Sequence, residues 1–267
     1  MQLKIDVVDA FTDVQFKGNS AAVIIVDKWL STTTMQAIGS ENNLSETAFI
    51  KPMSSGEYAI RWFSPLSEIP FCGHATLASA FVLFESQPQI NELVFHAPAV
   101  GQLNVTRQAN GYIQMSFPNR CPQAVKTIPE QLLKGLSIPP KKVLINEQAW
   151  FAIYEHEQQV LDVVQDTTLI AQLGPLDVVV TAPGKDYDFI SRYFWPANGG
   201  EEDPVTGSIH AGLAPYWAEQ LGKDKLLALQ ASKRSGVLHC QLNAQRVLVS
   251  GKAVRYLQGV IEIEQIG

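Results

Sequence analysis

The sequence predicts an α+β protein built from two similar halves, each a sheet wrapped around one buried helix. Three observations predict it. Segments rich in β-branched and aromatic residues recur along the chain (VVDAF, AAVIIV, ETAFI, YAIRWF, YIQMSF). Two longer helical stretches are apolar around most of their circumference and therefore belong inside. The order of these elements repeats once.

The repeat is visible in Arg61-Trp62-Phe63-Ser64-Pro65, which returns as Arg192-Tyr193-Phe194-Trp195-Pro196. The same shift aligns Tyr58 with Phe189 and Thr47-Ala48-Phe49-Ile50 with Val178-Val179-Val180-Thr181. Further on, Cys72-Gly73-His74-Ala75-Thr76-Leu77-Ala78 meets Thr206-Gly207-Ser208-Ile209-His210-Ala211-Gly212, and Gly101-Gln102-Leu103 meets Gly236-Val237-Leu238. Three additional residues in the second copy fall within the acidic stretch GEEDPVTG from Gly200. A single period of half the chain describes two halves related by a pseudo-two-fold axis, because a solenoid needs three or more short units.

Each half reads as strand, short helix, two strands, a longer helix and then further strands. In the first half the spacing predicts a strand over Ala21–Val26, a helix over Thr32–Glu41 and a longer helix over His74–Glu85. That last helix carries Leu77, Ala80, Phe81 and Phe84 on one stripe. In the second half the corresponding elements are Trp150–Tyr154, Thr167–Leu173 and Ser208–Gln220, the last with Leu213, Trp217 and Leu221. Turns are expected at Asn110-Gly111 and near Asn243-Ala244.

Composition narrows the function. With 267 residues, 46% hydrophobic and a formal net charge of −6, the chain suits one large or two ordinary domains and an interior of useful size. No basic block offers a nucleic-acid surface, and no apolar run reaches membrane-spanning length. The opening MQLKIDVVDAF has neither the basic nor the long apolar region of a signal peptide. Three cysteines without C-x-x-C spacing fit a reducing cytoplasm.

The chemistry gathers at the two long-helix starts, Gly73-His74 and Gly207-Ser208. A helix N-terminus presents unpaired N–H groups and partial positive charge, and glycine lets a ligand approach the backbone. Two such starts facing each other would hold a small carboxylate. The plainer alternative is a pair of tight turns with Ser208 as N-cap. Glu201 and Glu202 read as loop acids favourable to a helix start, whereas Pro204 restricts Asp203 to an extended backbone and aims its carboxylate. Glu46, at the head of a strand, is either a solvated strand-end residue or a buried proton donor and acceptor. A glutamate in partly apolar surroundings can serve as base and then acid near neutral pH. The repeat gives Glu46 a counterpart at Asp177 and does not say which of the two is chemical.

Asp9-Ala10-Phe11-Thr12, Gly18-Asn19-Ser20-Ala21-Ala22-Val23, Asn43-Leu44-Ser45-Glu46-Thr47-Ala48-Phe49, Cys72-Gly73-His74-Ala75-Thr76-Leu77-Ala78 and Glu202-Asp203-Pro204-Val205-Thr206-Gly207-Ser208 together resemble the PhzF family of phenazine-biosynthesis-like proteins. The resemblance runs in order over the whole chain. It implies the diaminopimelate epimerase-like fold: two pseudo-symmetric halves, each a β-barrel wrapped around a central helix, with the active site in the cleft between them. On that basis residues 1–118 form the first repeat and 119–255 the second, and the segment 256–267 is expected to return to the first. The resemblance further implies a homodimer and an isomerase without cofactor or metal. Glu46 would relay a proton between carbons, His74, Asp203 and Ser208 would hold or assist the substrate, and the backbone at Gly73 and Gly207 would take its carboxylate. Ile209 departs from the small residue usual after the motif serine.

Rival readings share these residues. A thiol racemase of the same fold needs two cysteines, and opposite Cys72 the repeat has Thr206. A non-catalytic binding protein would keep the site and lose the reaction, yet the acid, the histidine and the aspartate are all present. A metal site from His74, His210, Asp203 and Cys72 lacks any recognised ligand spacing, and Ser208 lacks the G-x-S-x-G elbow of a hydrolase.

Overall fold

The protein is described here by a computed structural model covering residues 1–264. The chain runs through β1 (Gln2–Ala10), β2 (Asn19–Ile25), α1 (Thr32–Asn42), β3 (Glu46–Ser54), β4 (Glu57–Phe63), β5 (Glu68–Ile69), α2 (Gly73–Ser86), β6 (Glu92–Ala97), β7 (Gly101–Arg107) and β8 (Ile113–Pro118). It continues with β9 (Gln123–Ala124), α3 (Glu130–Lys134), β10 (Lys142–Ile145), β11 (Ala149–Ile153), α4 (Glu157–Asp162), α5 (Thr167–Ala171), β12 (Asp177–Pro183), β13 (Phe189–Trp195) and β14 (Gly200–Asp203). It closes with α6 (His210–Leu221), β15 (Lys225–Gln230), β16 (Gly236–Asn243), β17 (Arg246–Gly251) and β18 (Ala253–Glu262). Two compact units result among the described residues: 1–116 together with 250–264, and Phe117–Val249. Of the segment 256–267, residues 265–267 lie outside the described residues. No helix among the described residues is long and apolar enough to cross a membrane.

In the first unit β1 pairs antiparallel with both β18 and β2. β2 runs parallel to β3, β3 antiparallel to β4, and β4 parallel to β6, followed by the antiparallel pairs β6–β7 and β7–β8. The sheet curls around α2, which touches β18 and β7 as well as β1, β2 and β3. The sequence explains this position. Leu77, Ala80 and Phe84 are buried and Phe81 is half-buried, and most other residues of α2 are buried too, including the hydroxyls of Thr76 and Ser79. Thr76 and Ser79 donate to the carbonyls of Cys72 and Ala75 within the helix, so their burial leaves no hydroxyl proton unpaired.

The second unit repeats the pairing scheme. β10 is antiparallel to β11, β11 parallel to β12, β12 antiparallel to β13, β13 parallel to β15 and β15 antiparallel to β16. Its sheet wraps α6: Trp217 donates to Thr181 on β12 at 3.0 Å, and His210 lies against Phe189 on β13. Leu213 and Trp217 are buried as their stripe requires, and Leu221 is exposed at the helix end. Pro215 sits inside α6 and has no N–H to offer the Ala211 carbonyl four residues back. That carbonyl accepts instead from Arg120 N at 3.0 Å.

The arginines that betray the repeat are structural. Arg61 forks onto Glu68 of β5, and Arg192 forks onto Glu202 of β14 at 2.8 and 3.0 Å. Glu202 is therefore a paired strand residue, not the loop acid expected from sequence. The additional residues of the second copy lengthen β14 relative to β5.

One glycine has no substitute. Gly18 has φ +66°, and a Cβ there would lie 2.2 Å from the Ala10 carbonyl oxygen and 2.7 Å from Thr12 Cγ2. Gly18→Ala is expected to cost about 3 kcal/mol or more through strain and overpacking together, read as a lowered denaturant midpoint. An unchanged midpoint would show that β1 yields there.

Candidate active site

Glu46, His74 and Gly73 converge in the first unit. Ser31 caps α1 through its Oγ, which accepts from Thr34 N, and Asn43 ends that helix in the left-handed conformation at φ 48°. The tight reversal places Ser45 and then Glu46 at the head of β3, where Glu46 stands in register with Ala21 of the parallel β2. Asn19 begins β2, and Cys72 precedes the first turn of α2 without a side-chain cap hydrogen bond. Two parallel strand heads and one helix N-terminus thus deliver Asn19, Glu46 and His74 to one place.

All three are buried: Glu46 is 5% exposed, His74 4% and Asn19 0%. The solvated strand-end alternative for Glu46 does not occur. Glu46 Oε2 lies 2.9 Å from His74 Nε2. The contact is close but off the N–H axis, and Oε2 has no aligned hydrogen-bond partner among the described residues. Asn19 Nδ2 lies 3.1 Å from His74 Nδ1, and Asn19 Oδ1 accepts from Ser45 Oγ at 2.9 Å. Cys72 Sγ stands 3.4 Å from Nδ1 and 3.9 Å from Nε2 of the same ring. Such an arrangement can hold and pass a proton: a carboxylate with an uncommitted oxygen beside an imidazole fixed on its other side.

Asp203, Gly207 and Ser208 belong to the second unit. Asp203 ends β14, and its Oδ2 accepts from the Thr206 hydroxyl. Gln230 ties this turn together by accepting from Thr206 N at 2.8 Å and donating to the Asp203 carbonyl at 2.9 Å. Helix α6 starts at His210, two residues later than the sequence pattern indicates. Residues 207–209 instead form successive tight turns, with His210 N bonded to Gly207 O and Ala211 N to Ser208 O. Ile209, fully buried, occupies the cap position, so Ser208 is not the N-cap. Its Oγ accepts from Gln148 Nε2 at 2.9 Å.

Asp177, the repeat counterpart of Glu46, heads β12 in register with Ala149 of the parallel β11. Its environment differs. Tyr193 OH donates to Asp177 Oδ2 at 2.6 Å and Asn198 Nδ2 to Oδ1 at 2.7 Å, so both oxygens are engaged. Burial raises the Asp177 carboxyl above the usual range and pushes the Tyr193 phenol well up. Gln148 Nε2 also reaches Tyr193 OH at 3.1 Å, linking Asp177 to Ser208.

Sequence reasoning missed Asn19, Gln148 and Gln230 as polar anchors. Asn19 stands in the Gly18-Asn19-Ser20 motif and was within reach. The two glutamines lie far in sequence from the groups they hold, and nothing local marks them.

The family model of the phenazine biosynthesis-like proteins, PhzC-PhzF, matches residues 8–259. An uncharacterized isomerase of Pseudomonas aeruginosa is 41% identical over 98% of this chain and 100% of its own length. The crystal structure of a PhzF-family phenazine biosynthesis protein from Enterococcus faecalis superposes with a TM-score of 0.93 at 38% identity, covering 98% of this chain and 100% of that one. A hydroxyproline epimerase from Agrobacterium vitis shares the fold with a TM-score of 0.61 at 11% identity, covering 97% of this chain and 92% of the other. The α+β architecture is thus the epimerase type that the sequence resemblance implies, and the chain belongs to the PhzC-PhzF family of phenazine biosynthesis-like isomerases.

Proposed function

We propose that this isomerase is a cytoplasmic, homodimeric, cofactor-independent enzyme that moves a proton between two carbons of a small carboxylic acid, with Glu46 as general acid and base. The supporting observation is the buried Glu46 carboxylate beside His74, with Oε2 lacking an aligned hydrogen bond. An oxygen held by an aligned donor must lose that bond before it takes up a proton from carbon, and Glu46 Oε2 makes no aligned bond of this kind. His74 stabilises the carboxylate while it is charged. The N-terminus of α2 at Gly73 supplies backbone N–H groups and positive potential suited to a carboxylate. Asp203, Gly207 and Ser208 are assigned to substrate binding. The two sequence repeats are assigned to the two compact units, a reading supported by their common pairing scheme.

The test is solvent deuterium incorporation at carbon across a panel of small unsaturated and hydroxy carboxylic acids. Incorporation that depends on Glu46 supports the proposal. Its absence across the panel would leave a binding protein.

Cys72 stands close enough to His74 for a thiol mechanism to be considered. Its repeat partner Thr206 is a hydroxyl bonded to Asp203, which leaves no second thiol base. Cys72→Ser is expected to keep the rate of deuterium incorporation within about tenfold of the parent enzyme. A loss as deep as that of a Glu46 variant would restore the thiol reading.

A further inference from the structure

Glu46, Cys72 and His74 offer one ligand-type atom each within 4.8 Å of one another, and all three are buried. Chemically this set suits either a thiophilic divalent cation or a proton relay. The tautomer of His74 separates the two. A metal ion would take the Nε2 lone pair and leave the ring proton on Nδ1, whereas a relay to Glu46 needs that proton on Nε2.

Asn19 chooses between them. The Ser45 hydroxyl donates to Asn19 Oδ1 at 2.9 Å, which turns the amide nitrogen toward the ring, 3.1 Å from His74 Nδ1. An amide NH2 can only donate, so Nδ1 must be the bare acceptor. A thiol at Cys72, 3.4 Å away, would add a weak donor toward the same nitrogen. In the neutral imidazole the proton then rests on Nε2, 2.9 Å from Glu46 Oε2.

We infer that Asn19, anchored by Ser45, is a positioning residue that fixes His74 as the Nε2–H tautomer, placing the ring proton on the nitrogen beside Glu46 and closing Nε2 to metal ions. The catalytic consequence rests on Glu46 being the acid and base, while the tautomer itself does not. Asn19 is placed to do this because β2 and β3 are parallel and start side by side, so Asn19 and Ser45 meet at their heads. Both lie outside α2 and hold the ring from the strand side.

The test is a long-range proton–nitrogen spectrum of protein labelled with 15N-histidine, with the His74 signals identified by their loss in His74→Gln. The expected parent spectrum shows Nε2 with a pyrrole-type shift and Nδ1 with a pyridine-type shift. In Asn19→Asp the new carboxylate can only accept, so Nδ1 is expected to gain a proton and move to the pyrrole-type shift, with deuterium incorporation lost. Ser45→Ala removes only the anchor and is expected to bring the two nitrogens toward averaged shifts. This variant serves where Asn19→Asp does not fold. Zinc ion added to the parent protein is expected to leave the His74 signals in place. A parent spectrum with Nδ1 protonated, unchanged shifts in the variants, or zinc-dependent movement of the His74 signals would overturn the inference. Loss of the Glu46 role, read from Glu46→Gln, would leave the tautomer result standing, so the two readings fail separately.

Discussion

Glu46→Gln is expected to lower turnover by about 10²–10⁴-fold with little change in fold or stability. Glutamine keeps the length and planarity of the side chain and offers His74 a carbonyl oxygen in place of a carboxylate oxygen. It cannot take up a proton from carbon, which is the one property the proposal requires. Binding of a carboxylic acid substrate is expected to survive, because the α2 N-terminus is unchanged, so the loss should appear in kcat more than in KM. The check is the rate of deuterium incorporation from solvent into a turned-over acid, compared at saturation for both proteins. Turnover by Glu46→Gln at the parent rate would remove Glu46 from the mechanism.

The acid limb of the stability curve is expected to be shaped by His210. This histidine is fully buried in the second unit, with Nδ1 3.0 Å from the Thr206 carbonyl and no hydrogen-bond partner for Nε2 among the described residues. Its ring lies 5.9 Å from that of Phe189. Burial pushes the imidazole down from 6.5 to about 4. The unfolded chain therefore binds a proton at His210 that the native state refuses between those values. Stability from this group is complete above pH 6.5 and is lost as pH falls toward 4, by about 3 kcal/mol in total. Asp177 acts in the opposite sense: its raised carboxyl favours the native state where it is protonated, a contribution that fades as pH rises through its native value. Comparing the parent with His210→Gln isolates the histidine. The variant should be less stable near neutrality, and the gap should narrow toward pH 4. Parallel curves for the two proteins would show that His210 does not titrate this way.

Much of the architecture was legible in the chain because periodicity and turn chemistry are local properties. The apolar circumference of α2 predicted its central place, and helix α1 runs from Thr32 as its spacing indicates. Positive φ at Gly111 and Ala244 marks the two expected turns. The repeat survived in Arg61 and Arg192 because each holds a glutamate from the following short strand. The glutamate partner was not legible. Glu202 reads as one of three neighbouring acids until the register of β14 on β13 sets it opposite Phe194 and beside Arg192. The start of α6 was misplaced for a related reason. Gly207-Ser208 carries the composition of a helix entry, but the tight turns over 207–209 depend on where Thr206 and Gln230 pin the chain.

The candidate site divides in the same way. The sequence by itself determined the family, the two-fold repetition, the presence of an acid at the head of each third long strand and a glycine at or just before the start of each long helix. The repeat alone left Glu46 and Asp177 equivalent, since the two occupy the same register position in their copies, and only the family resemblance pointed to Glu46. Tertiary structure shows that the surroundings of the two acids differ. Tyr193 and Asn198 reach Asp177 and occupy both its oxygens, whereas Glu46 keeps an oxygen with no aligned donor beside a histidine held by Asn19 and Ser45. A carboxylate's chemistry depends on which donors surround it, and strand register and the helix start bring in those donors from residues far away in the chain.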